Sequence, residues 1–201
     1  MMVTVPKWLQ MFYPSLEWEV KNGGNNVYLT FDDGPHPEIT PKVLDILDEY
    51  NAKATFFCVA DNVRKHPEVY RQIMDRGHKT GNHSYHHLNG WKTRNEIYFD
   101  DVEQAAKLIE SNLFRPPYGK IAPHQIRVLK KQHRIIMWSV LTYDFRESLS
   151  PQACLQNALS GLTPGSIIVF HDSKKSERNM LYALPAFLKQ CEEKALKSKS
   201  L

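Results

Sequence analysis

Residues 26–60, NVYLTFDDGPHPEITPKVLDILDEYNAKATFFCVA, carry the pattern that decides the fold. NVYLTF is rich in β-formers and ends at paired acids. ITPKVLDILDEYN then sets Val43, Leu44 and Leu47 on one helical face, with Thr40 as the expected N-cap and Pro41 at the first helical position. KATFFCVA reads as a buried strand in which Cys58 is a small hydrophobe. Strand, helix, strand is a βαβ unit, and such units build parallel sheets.

The alternation continues to the end of the chain. HPEVYRQIMDRG reads as a helix stopped at Gly77, and HKTGNHS as a short strand or strand end. TRNEIYFDDVEQAAKLIES reads as a helix that opens on a Thr93–Glu96 capping box and turns Ile97, Val102, Ala105, Leu108 and Ile109 inward. LFRPPYG is a strand entering a stiff loop, APHQIRVLKKQH a helix, and RIIMWSVL one buried strand. Ser150-Pro151 opens another helix, SIIVFHD is a strand, and a last helix follows. About six or seven such units suit either a doubly wound sheet or a barrel with fewer than eight strands. Both architectures gather polar residues at the carboxyl ends of their strands. Asp32, Asp33, His83, Arg115, Asp144 and His171 all fall there.

Composition narrows the function classes. The chain has 201 residues, 42% hydrophobic, enough for one core. We read it as a single domain over 26–201 preceded by an extension, 1–25, that packs on that core. A net charge of +4, with no basic stripe interleaved with aromatics, argues against nucleic acid as a partner. Three scattered cysteines suit neither a disulfide framework nor a thiolate metal site. The first twenty residues lack the layout of a signal peptide, and no apolar run is long enough to span a membrane. A cytoplasmic protein follows by default. Trp8, Leu9, Met11 and Phe12 are expected to pack over one end of the core. Oligomeric state is left open.

The polar residues form a chemical set. His83 and His87 stand four apart, which in a helical turn puts both rings on one face, while His86 points elsewhere. Alone, such a pair is more often solvated than ligating, and Asp-Asp-Gly-Pro alone is as often a turn as a site. Together they supply two imidazoles and a carboxylate, a catalytic zinc set with positions left open. Asp33 is then the third ligand and Asp32 the base that takes a proton from water. Arg115 can grip Asp32 bidentately, and Asp144 can hold one His171 nitrogen and favour the imidazolium, a general acid.

These residues resemble a known family. TFDDGP, HSYHH, RPPYG, YDF and IVFHD occur in the order of the five motifs of the polysaccharide deacetylases, the NodB homology domain of carbohydrate esterase family 4. The resemblance runs from Val27 to Asp172. It implies a distorted (β/α) barrel of about seven strands. It implies a divalent metal, usually zinc, on Asp33, His83 and His87, with cobalt, nickel or iron(II) chemically acceptable. It implies Asp32 as base oriented by Arg115, His171 as acid supported by Asp144, the Tyr118 N–H as oxyanion donor, and Ser84 as support. The implied reaction is hydrolysis of an N-acetyl group on an oligosaccharide or polysaccharide. Glycan O-acetyl esterase, sugar deformylase and a non-catalytic glycan-binding relative are the alternatives on the same fold.

The chain departs from the family pattern in three places. Leu141 takes an acidic position and Phe145 a tryptophan position in the fourth motif, and Val169 replaces a leucine before His171. Phe145, Val169, Pro116 and Pro117 are expected to wall the acetyl pocket. The tail ALKSKSL is too polar and short to be expected as the closing strand of the domain.

Overall fold

A computed structural model describes residues 2–201. In chain order the elements are α1 (Lys7–Met11), β1 (Asn26–Asp32), α2 (Ile39–Glu49), β2 (Thr55–Cys58), α3 (Ala60–Lys65), α4 (Pro67–Asp75), β3 (Lys79–Asn82) and α5 (Asn95–Ala106). They continue with β4 (Leu113–Phe114), α6 (Pro123–Leu129), β5 (Arg134–Ile135), β6 (Val140–Leu141), α7 (Pro151–Leu159), β7 (Ile167–His171), α8 (Glu177–Glu193) and β8 (Lys197–Lys199). Seven parallel strands run in the order β5-β4-β3-β2-β1-β7-β6 and curl into a half-barrel. β1 is central and nearly all buried, as a strand covered on both faces must be.

The half-barrel is open between β5 and β6, and the N-terminal segment crosses that side. Thr4 bridges Val140 and Glu17 bridges Ile136. Met137 N donates to Glu17 O at 2.7 Å, and Leu141 N donates to Val3 O at 2.9 Å. Leu16 is the buried anchor of this segment. The aromatics before it behave differently from expectation. Trp8, Met11 and Phe12 are 61%, 78% and 73% exposed, and α1 buries no residue. One helical turn this short has too little surface to lay an apolar stripe on the barrel while Leu16 takes the available seat.

Other local expectations also give way to tertiary contacts. RIIMWSVL is not one strand: it breaks over 136–139 into β5 and β6, freeing carbonyls for a use described below. Glu38, not Thr40, occupies the N-cap of α2, because the Thr40 hydroxyl is buried and donates to Asp172. The Thr93–Glu96 capping box does not form; Thr93 Oγ1 donates to the Asn89 carbonyl instead. Ile97 and Leu108 lie outside the buried stripe of α5, which is Tyr98, Asp101, Val102 and Ala105. The tail does form a strand. β8 pairs in parallel with β1 at 26–28, below the point where β2 joins the same strand at 30–32. Its side chains alternate Lys out, Ser in, and Leu196 and Leu201 on either side are buried. Backbone pairing does not need apolar side chains, so composition hid it.

Candidate active site

β1 and β7 lie side by side with Asp32 and His171 as register partners at their carboxyl ends. The chain then leaves β1 through Asp33, whose φ of 80° lies in the left-handed region. Gly34 follows because a Cβ there would collide with the Asp172 carboxylate, which accepts the Gly34 N–H at 3.1 Å. That kink turns the two adjacent acids to different partners. Asp33 also has its own carbonyl held by Asn62 Nδ2 at 2.8 Å.

Asp33 Oδ1 stands 3.1 Å from His87 Nε2 and 3.7 Å from His83 Nε2. The three ligand atoms lie within 4.8 Å of one another. His83 and His87 do not meet through a helical turn. Residues 83–87 form a loop in which Ser84 and His87 take φ values of 64° and 57°. Three supports fix that loop. Asn82 Oδ1 accepts the Ser84 N–H at 2.7 Å, and the Ser84 hydroxyl accepts the Leu88 N–H. Asp101, at a core position of α5, accepts the N–H groups of Tyr85 and His86 and bonds His86 Nδ1 at 2.5 Å. His86 thus serves as a strut beside the ligand pair.

The three residues fit a divalent ion. Ligands about 2.0–2.1 Å from a tetrahedral centre stand roughly 3.4 Å apart, and the two distances to Asp33 bracket that value. His83 is buried, and its Nε2 has no hydrogen-bond partner in the protein. Its Nδ1 donates to the Arg115 carbonyl at 2.8 Å, so the lone pair sits on Nε2. Burial pushes the His83 imidazole down to about 4, against the opposing charge of Asp32, which keeps it neutral as a ligand must be. Burial would raise the Asp33 carboxyl. The His87 hydrogen bond and the charges of His171 and His83 outweigh it and hold Asp33 well below the usual carboxylate range.

Arg115 is fully buried, and each of its three guanidinium nitrogens donates a hydrogen bond. Nη1 donates to Asp32 Oδ1 at 2.6 Å and to Thr30 Oγ1 at 2.8 Å. Nε and Nη2 donate to the carbonyls of Ile136 and Met137, the groups freed by the break between β5 and β6. The grip on Asp32 is therefore single, not the bidentate fork expected from the sequence. The fork is spread over four acceptors, and the guanidinium lies 4.1 Å from the Phe57 ring centre. Through its carbonyl and its side chain, one residue orients both His83 and Asp32.

Across the mouth, Asp144 is buried and bonds His171 twice, Oδ1 to Nδ1 at 2.7 Å and Oδ2 from the backbone N–H at 2.7 Å. Burial alone would lower the His171 pKa. The charge and hydrogen bond of Asp144, with the charges of Asp33 and Asp32, push it up to about 10. Phe145 stands edge-on to the His171 ring at 4.9 Å. Val169 lies two residues earlier on the same face of β7 but is only 1% exposed, sealed beneath His171 rather than lining an open wall. Pro116 and Pro117 are buried behind Tyr118, whose φ is 59° and whose ring lies 4.5 Å from that of His87.

Asp101, Asn82 and Asp172 are supporting residues that sequence reasoning missed. Asp101 left a signal, an acid inside an otherwise apolar stripe. Asp172 closes the IVFHD motif and Asn82 directly precedes HSYHH, but neither stretch shows what those side chains hold.

A model of the family described as polysaccharide deacetylase matches residues 19–134. The chain belongs to the polysaccharide deacetylase family. This deacetylase-family chain is 37% identical to a peptidoglycan-N-acetylglucosamine deacetylase of Bacillus cereus over 73% of its own length and 56% of the relative's. It is 35% identical to a chitooligosaccharide deacetylase of Azorhizobium caulinodans over 74% of each. The crystal structure of the Bc1960 peptidoglycan N-acetylglucosamine deacetylase superposes with a TM-score of 0.88 at 31% identity, covering 98% of this chain and 95% of that one. Among the described residues, no helix is long and apolar enough to cross a membrane.

Proposed function

We propose that this polysaccharide deacetylase family member is a metal-dependent hydrolase that removes N-acetyl groups from sugars of an oligosaccharide or polysaccharide. The observation that carries the reading is the pairing of Asp32 with His171 across β1 and β7, beside the Asp33–His83–His87 cluster. In this reading a base and an acid face one mouth, with the cation cluster beside them on the β3 side of β1. The relatives' names, peptidoglycan and chitooligosaccharide deacetylases, agree with an N-acetylated glycan as substrate.

Asp33, His83 and His87 would hold the ion, with zinc the best match to two imidazoles and a carboxylate. When bound there, the ion supplies Lewis acidity that acidifies water and polarises a carbonyl. Asp32, aimed by the Arg115 hydrogen bond, takes a proton from the attacking water. The water oxygen bonds to the acetamide carbon. The Tyr118 N–H donates to the oxygen that gains charge, and such a donor contributes about 10²–10³ in rate. His171, charged through neutral pH, gives its proton to the nitrogen as the C–N bond breaks. Acetate and a free amine leave, and Asp144 holds the imidazole for the next proton.

The test is acetate release from N-acetylated chitooligosaccharides and peptidoglycan fragments, with and without a chelator. Release that the chelator abolishes is the expected result. No release from any of them at full cation occupancy would overturn the reading.

A further inference from the structure

The first turn of α8 carries two buried polar side chains that do nothing for the helix itself. Ser176 stands at its N-cap and Asn179 at its third position, and both are buried. A serine at an N-cap ordinarily accepts an N–H from its own helix, and Ser176 accepts none. Its hydroxyl lies instead 2.5 Å from the His171 carbonyl and 2.8 Å from the Ser173 carbonyl, and its one proton serves either. Asn179 Nδ2 donates to the Asp144 carbonyl at 2.9 Å and to the Arg146 carbonyl at 3.1 Å. Both protons of the amide are used, which fixes the way the amide faces.

Asp144 and His171 come from separate segments, the loop after β6 and the end of β7, and meet through two bonds of 2.7 Å. The Asp144 loop has to be held from outside, since Tyr143 before it sits at a φ of 58°, in the left-handed region. Asn157 of α7 takes the Thr142 carbonyl at 3.0 Å, and Asn179 takes the next two free ones. One turn of α8 thus reaches the backbone of both members of the pair. The helix is seated in the core through Met180, Ala183, Leu184 and Phe187, so it is a rigid reference. Asn179 is also a poor stabiliser. Its Oδ1 is buried and has no partner, and an unpaired buried amide oxygen costs stability. An apolar side chain of the same size would avoid that cost. What the asparagine contributes is the position of the Asp144 loop.

We propose that Asn179 is a positioning residue for the acid: with Ser176, it sets the Asp144–His171 geometry from α8 while touching neither substrate nor the reacting atoms. The inference rests on the reading of His171 as the proton donor of a deacetylase and extends that machinery to the helix behind it.

The experiment uses the full chain loaded with zinc and an N-acetylated chitooligosaccharide. Asn179→Leu fills the same space and removes both donors. It should lower kcat about ten- to a hundredfold with KM within about twofold, the pattern of a displaced catalytic group. Its Tm should stay within about 5 °C of wild type, because the orphaned oxygen is lost together with the two bonds. The direct readout is the His171 imidazole in nitrogen-15 histidine NMR, identified by its loss in His171→Gln. The short bond to Asp144 gives Nδ1 and its proton a distinctive shift in wild type, and Asn179→Leu should displace or broaden it. Ser176→Ala withdraws support from the His171 side and should move the same resonance in a second, independent variant. A resonance unmoved in Asn179→Leu overturns the proposal whatever kcat does, since loss of general stability would not touch it in a folded sample. If Asn179→Leu does not fold, Ser176→Ala decides: a moved resonance supports the role of α8, and an unmoved one overturns it. A wild type that releases no acetate, while Asn179→Leu still displaces the resonance, would refute the deacetylase reading and leave the positioning role standing.

Discussion

Arg115 Nη1 donates to Asp32 Oδ1 at 2.6 Å inside the half-barrel, with the guanidinium fully buried and the carboxylate nearly so. The pair is worth little as a simple stabiliser, since desolvating two charges costs about what their attraction returns. Its significance is orientation. Breaking it from one side is a different matter. Arg115→Met should destabilise the fold by about 3–5 kcal/mol, because it removes one partner of a buried ion pair. Urea unfolding checks this, and a change below about 1 kcal/mol would contradict the pairing as described.

Asp32 is not one of the three residues of the Asp33–His83–His87 cluster. Asp32→Asn should therefore keep the bound cation and lower kcat by about 10²–10⁴. Metal content of the purified variant and its acetate release are the two readouts. Retained turnover would take the base role from Asp32.

Protonated His171 is favoured by the fold. Its pKa is raised from 6.5 to about 10, so its charge stabilises the native state fully below 6.5, and that stabilisation fades as pH climbs towards 10. The acid form should hold through neutral pH and set the alkaline limb of kcat. Asp144→Asn removes the largest raising influence. The limb should then move to lower pH by about one unit or more. A pH profile of kcat that superposes on wild type would show that Asp144 does not set the acid.

His83 offers Nε2 because Arg115 O holds Nδ1. If the proposed site is right, removing that imidazole should cut cation affinity by more than the roughly 10–100-fold typical of losing an outer partner. His83→Ala followed by zinc titration calorimetry measures it. Chelation of wild type should abolish acetate release, and added zinc should restore it.

The N-terminal segment separates burial from mere hydrophobicity. Leu16→Ala should cost about 2–5 kcal/mol, since Leu16 is only 7% exposed. Phe12→Ser should change stability by no more than about 0.5 kcal/mol, since Phe12 is 73% exposed. Thermal denaturation of the two variants distinguishes them.

Much of the fold was legible because burial leaves a period in the sequence. NVYLTF, KATFFCVA and SIIVFHD became β1, β2 and β7, and Ser150 caps α7 with its hydroxyl, accepting the Ala153 N–H. Asp32, Arg115 and His171 each stand where an apolar run ends, which is why the sequence draws attention to them. What failed were features with no period. The His83–His87 spacing suggested a helical turn, but two left-handed residues do that work. Thr40 and Thr93 have the chemistry of caps, yet Asp172 and the Asn89 carbonyl claim their hydroxyls.

By itself, the sequence determined the alternation of strands and helices, hence a parallel sheet, and which side chains stand at its carboxyl edge. Those are consequences of local pattern and of strand direction. Tertiary structure alone decided the four acceptors that share Arg115, the bridge of residues 3–20 across the open side, the polar strand β8 on β1, and the exposure of α1. Each depends on backbone groups or on competition between distant residues for one seat. A carbonyl has the same chemistry in every residue, so its choice of partner leaves no mark in the order of side chains.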